Sequence, residues 1–441
     1  MKKEADLFDL FSCTGLDRNK IRQLAFDTGF CERASGKISA PDFLIHLCLE
    51  SVSGTVSYND LAARVQAHTG VAVSRQAYWE RTDEKCMRFF QSILEHVMLS
   101  KCNPDDLKAI NRQGRFKRIL LQDSTIIRLP LRLFEIFSGV KNAHTAVCNA
   151  RIQGVYDLLS GQFIQFSIDP YSKNDQAASM EIPAQDGDLI LRDRGYFRIE
   201  AVAKHKQAGA DSINRYKHPT TLHDPATGEK IDLLELLTQN ASVDMLVGAG
   251  PERTVSIRLV AFPAPEETAN LRRMRAKKET NGHAPSRELL KLMSWTIFLT
   301  TITDPSLSFK EIAALYRLRW RIENIFKTWK SHFNFQKVHN VPEIQLRVLL
   351  NARLIMITVA YERLYLPLLD QLYRANGELV SLLKFMRYIT RNVDLLPRFL
   401  KSPTIPRELR EAVRRYCTYE KRNRPNFQTE LGAILLKSGV L

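Results

Sequence analysis

The chain has 441 residues, 44% of them hydrophobic, and its 64 Lys and Arg against 48 Asp and Glu leave a formal charge of +16. This composition excludes wholesale disorder and leaves room for two or three domains with a large core. The basic excess points to a polyanionic partner, either nucleic acid or an anionic membrane surface. Seven cysteines without a CxxC pair, and histidines without HxxxH spacing, argue against zinc and against a disulfide framework. Reduced, mostly buried thiols in a cytoplasmic protein are expected. The N-terminus, MKKEADLFDLF, lacks the apolar run of a signal peptide.

Residues 1–112 read as a helical domain, with apolar residues at helical spacing in PDFLIHLCLE and CMRFFQSILEHVML. Within it, residues 58–82 read as a helix-turn-helix. Leu61, Ala62 and Val65 mark a first helix, Gly70 lies in the turn, and Ser74 caps a second helix with Arg75, Tyr78, Trp79 and Arg81. In that reading Arg75 and Arg81 face DNA, because the second helix of such a motif enters the major groove.

The texture changes at FKRILLQDSTIIRL (116–129), a β-branched strand with Asp123 in its middle. Residues 150–170 read as a hairpin turning at Ser160-Gly161. DLILRDRGYF gives a buried strand ending at Asp193, FRIEAVAKHKQAG a helix ending near Gly209, and SINRYK a short strand. Residues 217–293 read as a β-rich insertion holding the alternating strand TVSIRLVAF and the basic run LRRMRAKK. Its PATGEK lacks the glycine spacing of a phosphate-binding loop. WTIFLTTI is the next buried strand, and Ser308-Phe309-Lys310-Glu311 is a capping box opening a long helix. Residues 341–441 read as a basic helical region. Its most apolar stretch, LRVLLNARLIMITVAYERLYLPLL, is interrupted by Arg347, Arg353, Glu362 and Arg363, and so reads as a core helix with no membrane role. The order implies an α/β mixed-sheet core at 113–340, flanked by helical N- and C-terminal regions.

The long helix carries the chemistry. At about 100° per residue, Tyr316, Arg319, Glu323, Lys327 and Lys330 share an arc of about 80°, opposite an apolar stripe of Leu318, Ile322, Ile325 and Trp329. Asp123 and Asp193 sit in or at the end of apolar strands, where a carboxylate is costly unless it is paired or binds a cation. Meeting Glu323, they would make an oxygen-rich site for Mg²⁺ or Mn²⁺. Two such ions about 4 Å apart serve phosphodiester chemistry. The surrounding bases would then grip phosphates and leave the acids to the metal.

Tyr316, Arg319, Glu323 and Lys330 form Y-(2)-R-(3)-E-(6)-K, which resembles the signature of bacterial DDE transposases of the insertion-sequence-four family. QDSTIIRLP resembles the first-aspartate strand of that family and LRDRGYF its second-aspartate motif. The resemblance covers roughly residues 115–340 and implies a ribonuclease-H-like fold. It implies a metal-binding catalytic triad of Asp123, Asp193 and Glu323 with two Mg²⁺ or Mn²⁺ ions. It also implies DNA contacts by Tyr316, Arg319 and Lys330, with Lys327 beside them, Arg215 on the short strand, and Trp295 stacking a flipped base. The implied activity is cleavage and strand transfer at terminal inverted repeats, cut-and-paste, with a homodimer holding two ends of double-stranded DNA and a target DNA. A metal-dependent nuclease or resolvase on the same fold, and a catalytically idle DNA-binding regulator, are the alternatives.

Overall fold

The computed structural model describes residues 16–32, 37–53, 56–99, 116–138, 147–171, 180–252, 255–279, 284–305, 307–332, 338, 340–392, 395–401 and 404–419. The 112/113 domain boundary and the basic end beyond Tyr419 lie outside these residues. The chain forms two compact units. One holds the N-terminal helices, residues 124–173 and the chain from Ile322 to Thr429; the other holds residues 113–123 and 174–321.

In the second unit, β1 (Arg118–Arg128) enters beside β4 (Asp188–Arg192) and β5 (Asp211–Arg215), all parallel. Every residue of β4 is buried, as expected where a parallel sheet is covered on both faces. Antiparallel to β5 runs β9 (Trp295–Thr300), followed by β8 (Val255–Pro263), β7 (Val243–Ala249) and β6 (Leu222–His223). The predicted insertion therefore extends the sheet and builds its own core around Val247, Ile257, Leu259 and Leu299. Gly209 has φ +76°, and a Cβ there would stand 2.8 Å from Asp186 Oδ1, so the turn from helix Ile199–Gln207 into β5 requires glycine.

In the first unit, β2 (Asn149–Asp157) and β3 (Gln162–Pro170) form the predicted antiparallel hairpin, and the order is β3-β2-β1 with the later half of β1. An antiparallel hairpin ahead of parallel β1, β4 and β5 is the ribonuclease-H-like arrangement, a mixed α/β fold.

The two helical ends, read from sequence as separate regions, pack together in that first unit. Helix Glu343–Ala360 lies against Ala40–Ser53 and Glu84–Leu99, and Arg353 Nε donates to Ser51 O at 2.7 Å. A helix buried on all sides needs partners from both ends of the chain, which local periodicity does not reveal. Among the described residues, Glu343–Asn376 is the one helix long and apolar enough to cross a membrane, and 89% of its apolar window is buried inside the protein. Arg347 pairs with Glu343 at 2.7 Å. Two of the charges that interrupt this stretch, Arg347 and Arg353, thus find internal partners.

His46, 1% exposed in this helical unit, is lowered to about 4, first by burial and then by the nearby His68 and Arg64. A base whose folded value is depressed binds fewer protons folded than unfolded, so stability is full above about pH 6.5 and falls as pH drops toward 4. The melting temperature should decline across that window, and His46→Gln should flatten the decline.

Candidate functional site

The register Gln122↔Arg192 brings Asp123 and Asp193 side by side as β4 ends. Asp193 then caps a 3₁₀ turn, Arg194–Tyr196, accepting from Gly195 N at 3.2 Å. This is the crevice at the carboxyl ends of parallel strands where open α/β sheets place their ligands.

Both acids face one guanidinium. Arg319 Nη1 lies 3.7 Å from Asp123 Oδ2 and Nη2 lies 3.5 Å from Asp193 Oδ1; the Arg319 side chain is only 7% exposed. This differs from the expected continuous helix presenting Tyr316, Arg319, Glu323, Lys327 and Lys330 on one face. The first helix, Phe309–Arg317, opens on the predicted capping box and ends early; a second, Trp320–His332, follows. Between them the N–H groups of Leu318, Arg319 and Arg321 bond three residues back, to the carbonyl oxygens of Leu315, Tyr316 and Leu318. Such tightening advances each residue by about 120° in place of 100° and breaks the single-face projection. Tyr316 and Arg319 are buried, Glu323 and Lys330 are half-buried, and Lys327 is exposed. The apolar stripe of Leu318, Ile322, Ile325 and Trp329 is buried as predicted. The start of the first helix is held by Arg258, which grips Asp244 through two 2.6 Å bonds and donates to the carbonyl oxygens of Asp304 (2.7 Å) and Leu307 (3.0 Å).

Tyr316 donates its hydroxyl to Arg192 O at 3.2 Å, and burial pushes the phenol up to about 12. Arg192, 4% exposed, donates to Gln122 Oε1 at 3.5 Å; among the described residues its Nε and Nη2 find no hydrogen-bond partner, and burial lowers it to about 10.

Beside Asp193 opens a cavity of about 950 Å³. Its cations are Arg194, Arg215, Arg272, Lys310, Arg317 and Arg319, and Asp193 is its one acid. Phe262, Phe298, Phe309, Tyr316 and Trp320 supply aromatic surface between these charges. Arg215 sits over the Phe298 ring at 5.2 Å, and burial, then Arg272, lowers it to about 10.

Of the sequence-predicted residues, Asp123, Asp193, Tyr316, Arg319 and Arg215 come together in this unit. Trp295 packs against the core of the insertion and does not line the cavity. Glu323, Lys327 and Lys330 belong to the other unit. Among the described residues no three Asp, Glu, His or Cys side chains converge as a metal cluster. The Asp123–Asp193 pair nevertheless fits a hard divalent cation: two carboxylates on adjacent strands offer only oxygen donors, and one guanidinium neutralises half of their charge.

At the N-terminus the helices Tyr58–Thr69 and Arg75–Glu80 form, with Gly70 left-handed between them and Ser74 accepting from Ala77 N. Arg75 and Trp79 are exposed. Arg81 turns inward, over the Phe30 ring at 4.6 Å and 3.3 Å from Cys31 Sγ. A helix of only two turns leaves Arg81 at its capped end, where the aromatic core claims it.

The sequence reading did not single out Arg192, Arg194, Arg272, Lys310 or Trp320. The basic run LRRMRAKK, read as part of a β-rich insertion, lies in helix Glu266–Glu279, and of its cations Arg272 lines the cavity.

A mid-strand acid and a strand-end acid on adjacent strands, bridged by an arginine from the turn between two helices, beside a cationic and aromatic cavity on a ribonuclease-H-like sheet, define a polynucleotide-processing enzyme. Residues 114–359 match the family model described as "Transposase DDE domain". The transposase for insertion sequence element IS231B of Bacillus thuringiensis subsp. berliner is 26% identical over 428 residues, covering 92% of this chain and 89% of that protein. The IS231F transposase of B. thuringiensis subsp. israelensis is 28% identical, covering 76% of this chain and 75% of that protein. The IS1151 transposase of Clostridium perfringens is 26% identical, with 78% and 77% covered. With more than half of its length matched, the chain belongs to the DDE transposase family.

Proposed function

We propose that the protein cleaves DNA at the terminal inverted repeats of an insertion sequence and joins the freed end to a target, acting as a homodimer on double-stranded DNA in the bacterial cytoplasm. The observation that carries this reading is the Asp123–Asp193 pair beneath Arg319 at the mouth of a basic, aromatic cavity.

In this reading Asp123, Asp193 and Glu323 hold two Mg²⁺ or Mn²⁺ ions. When bound, the ions supply Lewis acidity at the scissile phosphate and a lowered pKa for the attacking water or 3′-hydroxyl. Arg319 moves from carboxylate to phosphate as DNA arrives, its fork matching two phosphate oxygens. Tyr316, locked by its bond to Arg192 O, keeps its proton and orients Arg319, whose guanidinium lies 5.8 Å from its ring. Lys327 and Lys330 add point charges along the same strand, and Arg215 reaches phosphate from the cavity floor. Trp295 contributes aromatic surface at the edge of the insertion for an unstacked base. Arg75 contacts DNA from the N-terminal helix pair, with Arg81 steadying that pair.

Incubating the purified protein with a labelled duplex of the DNA flanking its gene tests the reading. Nicking at the repeat boundary that requires Mg²⁺ or Mn²⁺ is expected. Tight binding without cleavage in either metal would favour the idle regulator, and cleavage that never joins a target would favour the nuclease.

A further inference from the structure

Arg215 and Arg272 are two half-buried guanidinium groups, near enough that Arg272 lowers the proton affinity of Arg215. Both line the cavity beside Asp193. Like charges withdrawn from water repel each other and lose hydration, and the usual remedy is a carboxylate. None is supplied: neither arginine forms an ion pair among the described residues. Arg215 lies against the Phe298 ring. Arg272 donates only to neutral oxygens, Nη1 to Trp295 O at 3.0 Å and Met293 O at 3.5 Å, and Nη2 to Thr296 Oγ1 at 3.2 Å. These contacts use at most three of its five N–H donors. They also anchor the group, so that little side-chain entropy remains to be lost on binding. The two arginines come from different elements, Arg215 from the end of β5 and Arg272 from insertion helix Glu266–Glu279, so the pairing is a product of the tertiary fold. Thr268 and Thr296 add hydroxyl donors to the same cavity.

We propose that Arg215 and Arg272 form a phosphate clamp, through which the insertion holds a backbone phosphate of the DNA end beside the Asp123–Asp193 site. The proposal rests on the DNA-end reading above. It gives the insertion a role in positioning DNA and makes Arg272 a positioning residue for the reaction.

The experiment measures binding of the labelled end duplex by fluorescence anisotropy across a salt series. Arg272→Gln should weaken binding about tenfold and lower the slope of log affinity against log salt by about one, the signature of one lost phosphate contact. Arg275→Gln removes the same charge from an exposed position on the same helix and should change neither. Arg215→Gln with Arg272→Gln should cost little more than either alone, because both act on one phosphate. If Arg272→Gln fails to fold, Arg272→Lys replaces it; it should keep the salt slope and lose affinity, since a point charge cannot form the fork. Arg272 variants that match the parent protein in affinity and slope would overturn the clamp and leave the DNA-end reading standing. A parent protein that does not bind the duplex would overturn both. Inorganic pyrophosphate binding lost in Arg272→Gln while duplex binding is unchanged would assign the site to free phosphates and overturn the backbone-phosphate proposal.

Discussion

Asp193→Asn should reduce strand cleavage by at least about 10³-fold, roughly 4 kcal/mol of lost transition-state stabilisation, while end binding stays within about twofold. The asparagine has the shape of the aspartate without its charge, so β4 and the turn at Arg194–Tyr196 should persist; the side-chain oxygen can still accept from Gly195 N. What disappears is one of two adjacent carboxylates, and with it one of the three anionic donors that the proposed reading assigns to the metal. The Asp193 side chain is 46% exposed, so little stability should go with it. Single-turnover cleavage in Mg²⁺ and a parallel melting curve check both halves of the prediction. Cleavage within tenfold of the parent enzyme would remove Asp193 from the chemistry, and a collapsed melting curve would mean that its role is structural.

Arg319→Ala should have two separable effects. Cleavage should fall and end binding should weaken, with a salt slope reduced by about one as a phosphate contact is lost. The protein free of DNA should also lose about 2 kcal/mol, because Asp123 and Asp193 would face each other without the buried guanidinium between them. The contacts at 3.5 and 3.7 Å are looser than a tight bidentate pair and the Asp193 side chain is 46% exposed, so a loss below that of breaking a fully buried pair is expected. A divalent cation relieves the same repulsion. The gain in melting temperature on adding Mg²⁺ should therefore be larger in Arg319→Ala than in the parent protein, a readout that needs neither DNA nor turnover. An equal gain in the two proteins would show that Arg319 does not share its charge with the metal-binding acids.

Much of this molecule was legible before any coordinates. The run ILLQDSTII and the apolar LIL before Arg192 announced buried strands, and β1 and β4 form there. Ser308 and Glu311 announced a helix start, and both reciprocal bonds of the capping box are present. The spacing of Tyr316, Arg319, Glu323 and Lys330 announced the family, since four identities at fixed intervals are a local property of the chain. Such signals survive because strand alternation, capping and motif spacing are set by neighbours within a few residues.

The tertiary structure alone decided the rest. The tight turn at Leu318 and Arg319 forms in a segment whose periodicity reads as continuous helix, and the buried Arg319 bridging Asp123 and Asp193 goes with it. The meeting of Arg215 with Arg272, and the packing of both helical ends in one unit, join residues far apart in the chain. Desolvation and charge pairing across such separations depend on sheet register and helix packing. Local periodicity is blind to both, so the sequence named the acids and their family while the fold chose which cations face them.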